Sequence, residues 1–129
     1  MAYLLDTHTF LWFVEGNKEL PKKVVSKITN INEPCFISIA SFWEIAIKLQ
    51  LGKLIIDIPF DELFKFITRN QIQIIEIGEE HLIELLALEA HHRDPFDRLI
   101  IAQAKSENLI LLSKDKQMEK YKIKVECEA

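Results

Sequence analysis

Short apolar runs rich in β-branched residues alternate in this chain with longer stretches whose apolar residues recur at helical spacing. That alternation predicts an α/β fold, a sheet whose strands are joined by helical crossovers. Candidate strands cover residues 3–5, 35–39, 73–77, 109–112 and 123–125, a roughly five-stranded sheet. Several are apolar on both faces, as buried parallel strands are, so helices should cover both sides of a central, mainly parallel sheet. Helices are expected over 21–28, 41–51, 60–69, 79–90 and 94–107. Pro21 suits a first helical turn and Gly52 a helix stop. In the 79–90 segment, Leu82, Leu85, Leu86 and Ala90 fall at a spacing that should face the core.

Length decides the number of domains. At 129 residues, with 49% hydrophobic and 28% charged residues, the chain is expected to form a single domain over 1–129, and disordered or repetitive classes are excluded. No apolar run approaches the ~20 residues that span a bilayer. The first ten residues hold Asp6 and no Lys or Arg, unlike a secretory leader, so a cytoplasmic protein is expected. Cys35 and Cys127 have no neighbouring Cys or His at ligand spacing and are read as reduced packing residues. The basic stretch 18–27 and the acidic stretch 79–92 are read as solvated faces, with phosphate and a protein partner as the respective alternatives.

Four carboxylates occupy the places where α/β sheets build their sites, past strand ends and in early turns of adjoining helices. Asp6 follows the first strand in LLDTHTF, and Asp115 follows the fourth in LLSKD. Glu44 in SFWEIA and Asp97 in DPFDRLI belong to first helical turns. Each has a plainer explanation. Ser41 and Glu44 match a capping box, Asp94 and Asp97 suit an N-cap and a first-turn acid, and Asp115 suits a turn. Asp6 is harder to explain, because an ionised group inside an apolar run is costly without a partner. If the four converge they repel one another, and a hard divalent cation such as Mg²⁺ or Mn²⁺ would relieve them. Phosphodiester hydrolysis is the chemistry such a centre supports.

The segments LLDTHTFLW (4–12), SFWEIAIK (41–48), HRDPFDRLIIAQA (92–104) and LLSKD (111–115) match, in order and approximate spacing, the acidic motifs of a known family. The chain resembles PIN-domain ribonucleases, in particular VapC-type toxins of bacterial toxin–antitoxin pairs, over nearly its whole length. The resemblance implies a three-layer α/β/α PIN fold and Mg²⁺- or Mn²⁺-dependent cleavage of RNA. It implies Asp6, Glu44, Asp97 and Asp115 as metal-binding and catalytic residues, with Ser113, Thr7 and Asp94 in support. One departure is His8, which stands where many members have Asn. A cognate antitoxin and a homodimer are the implied protein partners.

The formal charge of −4 equals the contribution of the four site acids, so two divalent cations would cancel it. Lys114, Lys116 and Arg98 could then steer a phosphate backbone. Two other functions compete. One is a PIN-like module that binds RNA or protein without cutting, against which the intact acids argue. The other is an Asp-based phosphatase, which would want a second acid where His8 stands. Trp12, Phe13, Phe42 and Trp43 are read as core residues, with an antitoxin or dimer groove as the alternative.

Overall fold

In a computed structural model that describes residues 1–115, residue 118 and the backbone of 125 and 126, five parallel strands run in the order β3-β2-β1-β4-β5. The strands are β1 (Tyr3–Leu5), β2 (Cys35–Ser38), β3 (Ile72–Ile75), β4 (Ile110–Leu112) and the two-residue β5 (Val125–Glu126). The helices are α1 (Thr7–Glu15), α2 (Lys22–Thr29), α3 (Ile39–Gln50), α4 (Glu62–Arg69), α5 (Glu79–Ala87) and α6 (Pro95–Ser106). The expected α/β sheet is present, with β1 at its expected bounds and the ends of the other strands shifted by at most two residues. Cys127 and Lys116 lie outside the described residues.

Period-two alternation of the strands sorts the core into two layers. Tyr3 and Leu5 of β1 face a cluster with Phe10, Phe42, Ile45 and Leu63 from α1, α3 and α4. Leu4, between them, faces Ile100, Ile101 and Ala104 of α6. Neither Leu4 nor Leu5 retains exposed surface, which is why the central strand is apolar throughout. Buried Cys35 behaves as a packing thiol, and burial pushes its pKa up to about 12. Among the described residues, no helix is long and apolar enough to cross a membrane.

Three local expectations are corrected. Helix α1 is absent from the expected elements, because its first turn, Thr7–Thr9, is polar and shows no apolar spacing; Asp6 caps its start and Gly16, at φ 62°, ends it. The start of α3 lies at Ile39, with Ser38 as N-cap accepting from Ala40 N at 3.0 Å. The Ser41–Glu44 capping box therefore does not form, and Glu44 sits in the second turn instead of the first. Helix α5 stops at Ala87 and turns Leu82 (50% exposed) and Leu86 (90% exposed) outward. Its buried residue is His81, whose Nδ1 accepts from Gly78 N at 3.0 Å and whose Nε2 contacts Glu107 Oε2 at 3.0 Å. α5 packs against α6, so polar pairing replaces the apolar contact that spacing suggested.

Candidate active site

Parallel pairing brings the carboxyl ends of β1 and β4 side by side, with Leu5 opposite Leu112. The next residues, Asp6 and Ser113, consequently meet: Asp6 N donates to Leu112 O at 3.2 Å, and the Ser113 hydroxyl donates to Asp6 Oδ2. Asp6 Oδ1 accepts from Thr9 N at 2.8 Å, capping α1. Burial pushes the Asp6 carboxyl pKa up, and the Ser113 hydrogen bond counters part of that rise. Ser113 Oγ also accepts from Asp115 N at 3.0 Å, so one hydroxyl ties two of the acids together.

The other two acids arrive on helices that follow neighbouring strands. Glu44 of α3 is buried; Lys48 Nζ holds its Oε2 at 2.7 Å, while Oε1 has no hydrogen-bond partner among the described residues. Asp94 caps α6 by accepting from Phe96 N at 2.8 Å and Asp97 N at 3.1 Å, with Pro95 at the first helical position. Asp97, one turn on, is pushed up to a pKa of about 6, chiefly by burial and then by the charges of Asp94 and Glu44. Asp6, Glu44, Asp97 and Asp115 all line one cavity of about 590 Å³. Every acid that the sequence singled out is thus brought to one place.

The remaining expectations divide. Thr7 is buried and donates to Ser41 Oγ at 2.8 Å, tying α1 to α3. His8 is exposed at the cavity with its ring 4.8 Å from that of Trp12. Lys114 lines the cavity, its ammonium 4.2 Å from the Trp12 ring centre. Arg98 is not among the residues that line the cavity; its Nη1 donates to the carbonyls of Glu89 and His92, bracing the loop before α6. Phe42 is core, whereas Trp43 is 57% exposed beside Phe96, at 5.2 Å between ring centres. Two residues went unassigned in the sequence. Lys48 could have been found from its i, i+4 spacing to Glu44, but the approach of His92 Nε2 to Asp115 Oδ2, 2.9 Å, spans 23 residues and leaves no local signal.

The donor set suits a hard divalent cation. It consists of carboxylate oxygens, an orphaned buried Glu44 Oε1 and an Asp97 whose pKa is raised by burial and then by the neighbouring charges of Asp94 and Glu44, which a cation would offset. Asp94 is a different matter, since its oxygen is engaged in capping. Asp94→Ala is expected to cost about 1 kcal/mol of stability, and Asp94→Asn, which keeps a capping oxygen, to stay folded and keep most of any activity. Melting curves with parallel turnover assays check this. An Asp94→Asn protein that is well folded but as inactive as Asp97→Asn would return Asp94 to the functional set.

A family model described as the PIN domain matches residues 3–124. No curated protein matches the sequence. Among solved structures, the fold is similar to VapBC2 from Rickettsia felis bound to a fragment of its promoter DNA, with a TM-score of 0.74 and 16% identity covering 100% of both chains. It is similar also to VapBC-1 from nontypeable Haemophilus influenzae, with a TM-score of 0.67 and 16% identity covering 98% of each chain. A toxin–antitoxin complex from Klebsiella pneumoniae gives a TM-score of 0.60 at 17% identity, over 88% of this chain and 86% of that one.

Proposed function

This chain belongs to the PIN domain family, and on that premise we propose that it is a divalent-metal-dependent endoribonuclease, the toxin of a toxin–antitoxin pair. The observation that carries the reading is the convergence of four carboxylates on one cavity, one of them with a buried oxygen lacking a partner among the described residues. Asp6, Glu44, Asp97 and Asp115 would hold Mg²⁺ or Mn²⁺. Such an ion, when bound, lowers the pKa of water and stabilises charge on phosphodiester oxygens. The chain's own groups set the stage for this. Ser113 orients the Asp6 carboxylate and holds the backbone N–H of Asp115, and Lys48 neutralises one oxygen of Glu44 while the other is left buried without a partner among the described residues. Lys53 and Lys114 line the same cavity and would draw a phosphate backbone toward it.

A circular single-stranded RNA offers a direct test, because only an internal cut makes it linear. Linear product in Mg²⁺ is the expected result. A circle left intact by protein shown to bind the metal would favour the PIN-like module that binds without cutting. Ser113→Ala should lower turnover about tenfold to a hundredfold, the usual effect of losing a group that orients a metal ligand. Unchanged turnover together with unchanged metal affinity would remove Ser113 from the supporting set.

The antitoxin belongs to the same reading and is supported by the likeness to complexes with that description. Exposed Trp43, beside Phe96 and next in sequence to Glu44, would take an apolar side chain of the partner while a basic one reaches the acids. A cytoplasmic homodimer completes the proposal, and Leu82, Ile83 and Leu86, exposed on α5, favour self-association.

A further inference from the structure

We infer that His92 supplies a nitrogen donor to a cation position shared with Asp97 and Asp115, so that this position favours Mn²⁺ over Mg²⁺. The inference rests on the metal-dependent reading above and adds to it a ligand that is not a carboxylate. His92, Asp97 and Asp115 each offer one ligand atom, and the three atoms lie within 4.8 Å of one another. His92 Nε2 stands 2.9 Å from Asp115 Oδ2. Two adjacent donors around an octahedral ion at about 2.1 Å are separated by about 3 Å, so the pair already has the spacing of neighbouring ligands.

The imidazole is held in place. Its side chain is only 8% exposed, and Arg98 Nη1 donates to the His92 carbonyl at 3.4 Å, fixing the backbone from which the ring projects. An independent feature of the same cavity points to a cation: the Glu44 oxygen that is buried without a partner among the described residues. Asp97 connects the two, because its carboxyl lies within electrostatic reach of both Glu44 and His92.

Donor type decides the preference. Mg²⁺ is a hard ion that takes oxygen and keeps much of its water, whereas imidazole is a good ligand for first-row transition ions. Exchanging one oxygen donor for an imidazole therefore adds affinity for Mn²⁺ and little for Mg²⁺. Were all ligands carboxylates, the preference between the two ions would not respond to residue 92.

The experiment uses the intact protein, with Mn²⁺ and Mg²⁺ as probes, in calorimetric titrations of the wild type and His92→Gln at one pH, and pulsed electron paramagnetic resonance of the Mn²⁺-loaded wild type. We expect a ¹⁴N coupling to the manganese in the wild type. We also expect His92→Gln to weaken Mn²⁺ binding about tenfold or more while Mg²⁺ binding changes less than about threefold. Should His92→Gln fail to fold, the wild type still overturns the role of His92 if it shows no coupling, and His8→Gln, which should leave the coupling intact, separates His92 from the other imidazole at the cavity. Manganese bound without nitrogen coupling, or equal losses for both ions, overturns the role of His92 and leaves the metal-dependent reading standing. Failure of the wild type to bind either ion overturns both.

Discussion

Asp97→Asn is expected to abolish RNA cleavage and at the same time to stabilise the metal-free protein. Loss of a group that merely orients a metal ligand typically costs tenfold to a hundredfold, so removing a charge that faces the cation should cost at least on the order of a hundredfold in turnover. The stability effect follows from the pKa. Asp97 is pushed from the ordinary 3.8 up to about 6, so between these values the folded protein holds a proton that the unfolded chain has released. Stability of the metal-free protein therefore falls as pH rises through that window, and the full penalty is present above about pH 6. Asparagine carries no charge to repel Asp94 and Glu44. The melting temperature of Asp97→Asn should exceed that of the wild type by more at pH 7 than at pH 4, and the upward shift caused by Mg²⁺ should shrink or vanish. Melting curves at the two pH values, with and without Mg²⁺, check this. A variant that is less stable at pH 7 yet responds normally to Mg²⁺ would contradict the arrangement.

The positions of the acids were readable from sequence because topology did most of the placing. In a parallel sheet all carboxyl ends lie on one edge, so Asp6 after β1 and Asp115 after β4 had to approach once those strands paired. The N-cap role of Asp94 was readable too, since Pro at the next position marks a helix start. What escaped depended on choices that local pattern does not make. Ser38 and Ser41 are both competent caps, and only the end of β2 selects Ser38, leaving Ser41 to meet Thr7 across 34 residues. Helix α1 is hidden because its first turn is the polar run Thr7–Thr9, so apolar spacing gives no sign that a helix follows β1 after the single capping residue Asp6. The outward Leu82 and Leu86 show the limit of periodicity: it defines a face but not what covers it. His92 and the orphaned oxygen of Glu44 are products of tertiary contact alone.

Removal of divalent metal is expected to have an effect as large as Asp97→Asn, by a different route. Without a cation the carboxylates present net negative charge to an anionic backbone, so even productive approach of RNA is opposed. Lys48 offsets this only in part, because its single ammonium is paired with Glu44 Oε2. Chelation should therefore stop turnover and also lower the melting temperature, since bound metal relieves the repulsion that the folded state carries. The most direct measurement is turnover of a defined single-stranded RNA by exhaustively demetallated protein, before and after Mg²⁺ or Mn²⁺ is restored. The account predicts no cleavage before and full cleavage after; undiminished cleavage by the demetallated protein in EDTA would contradict it.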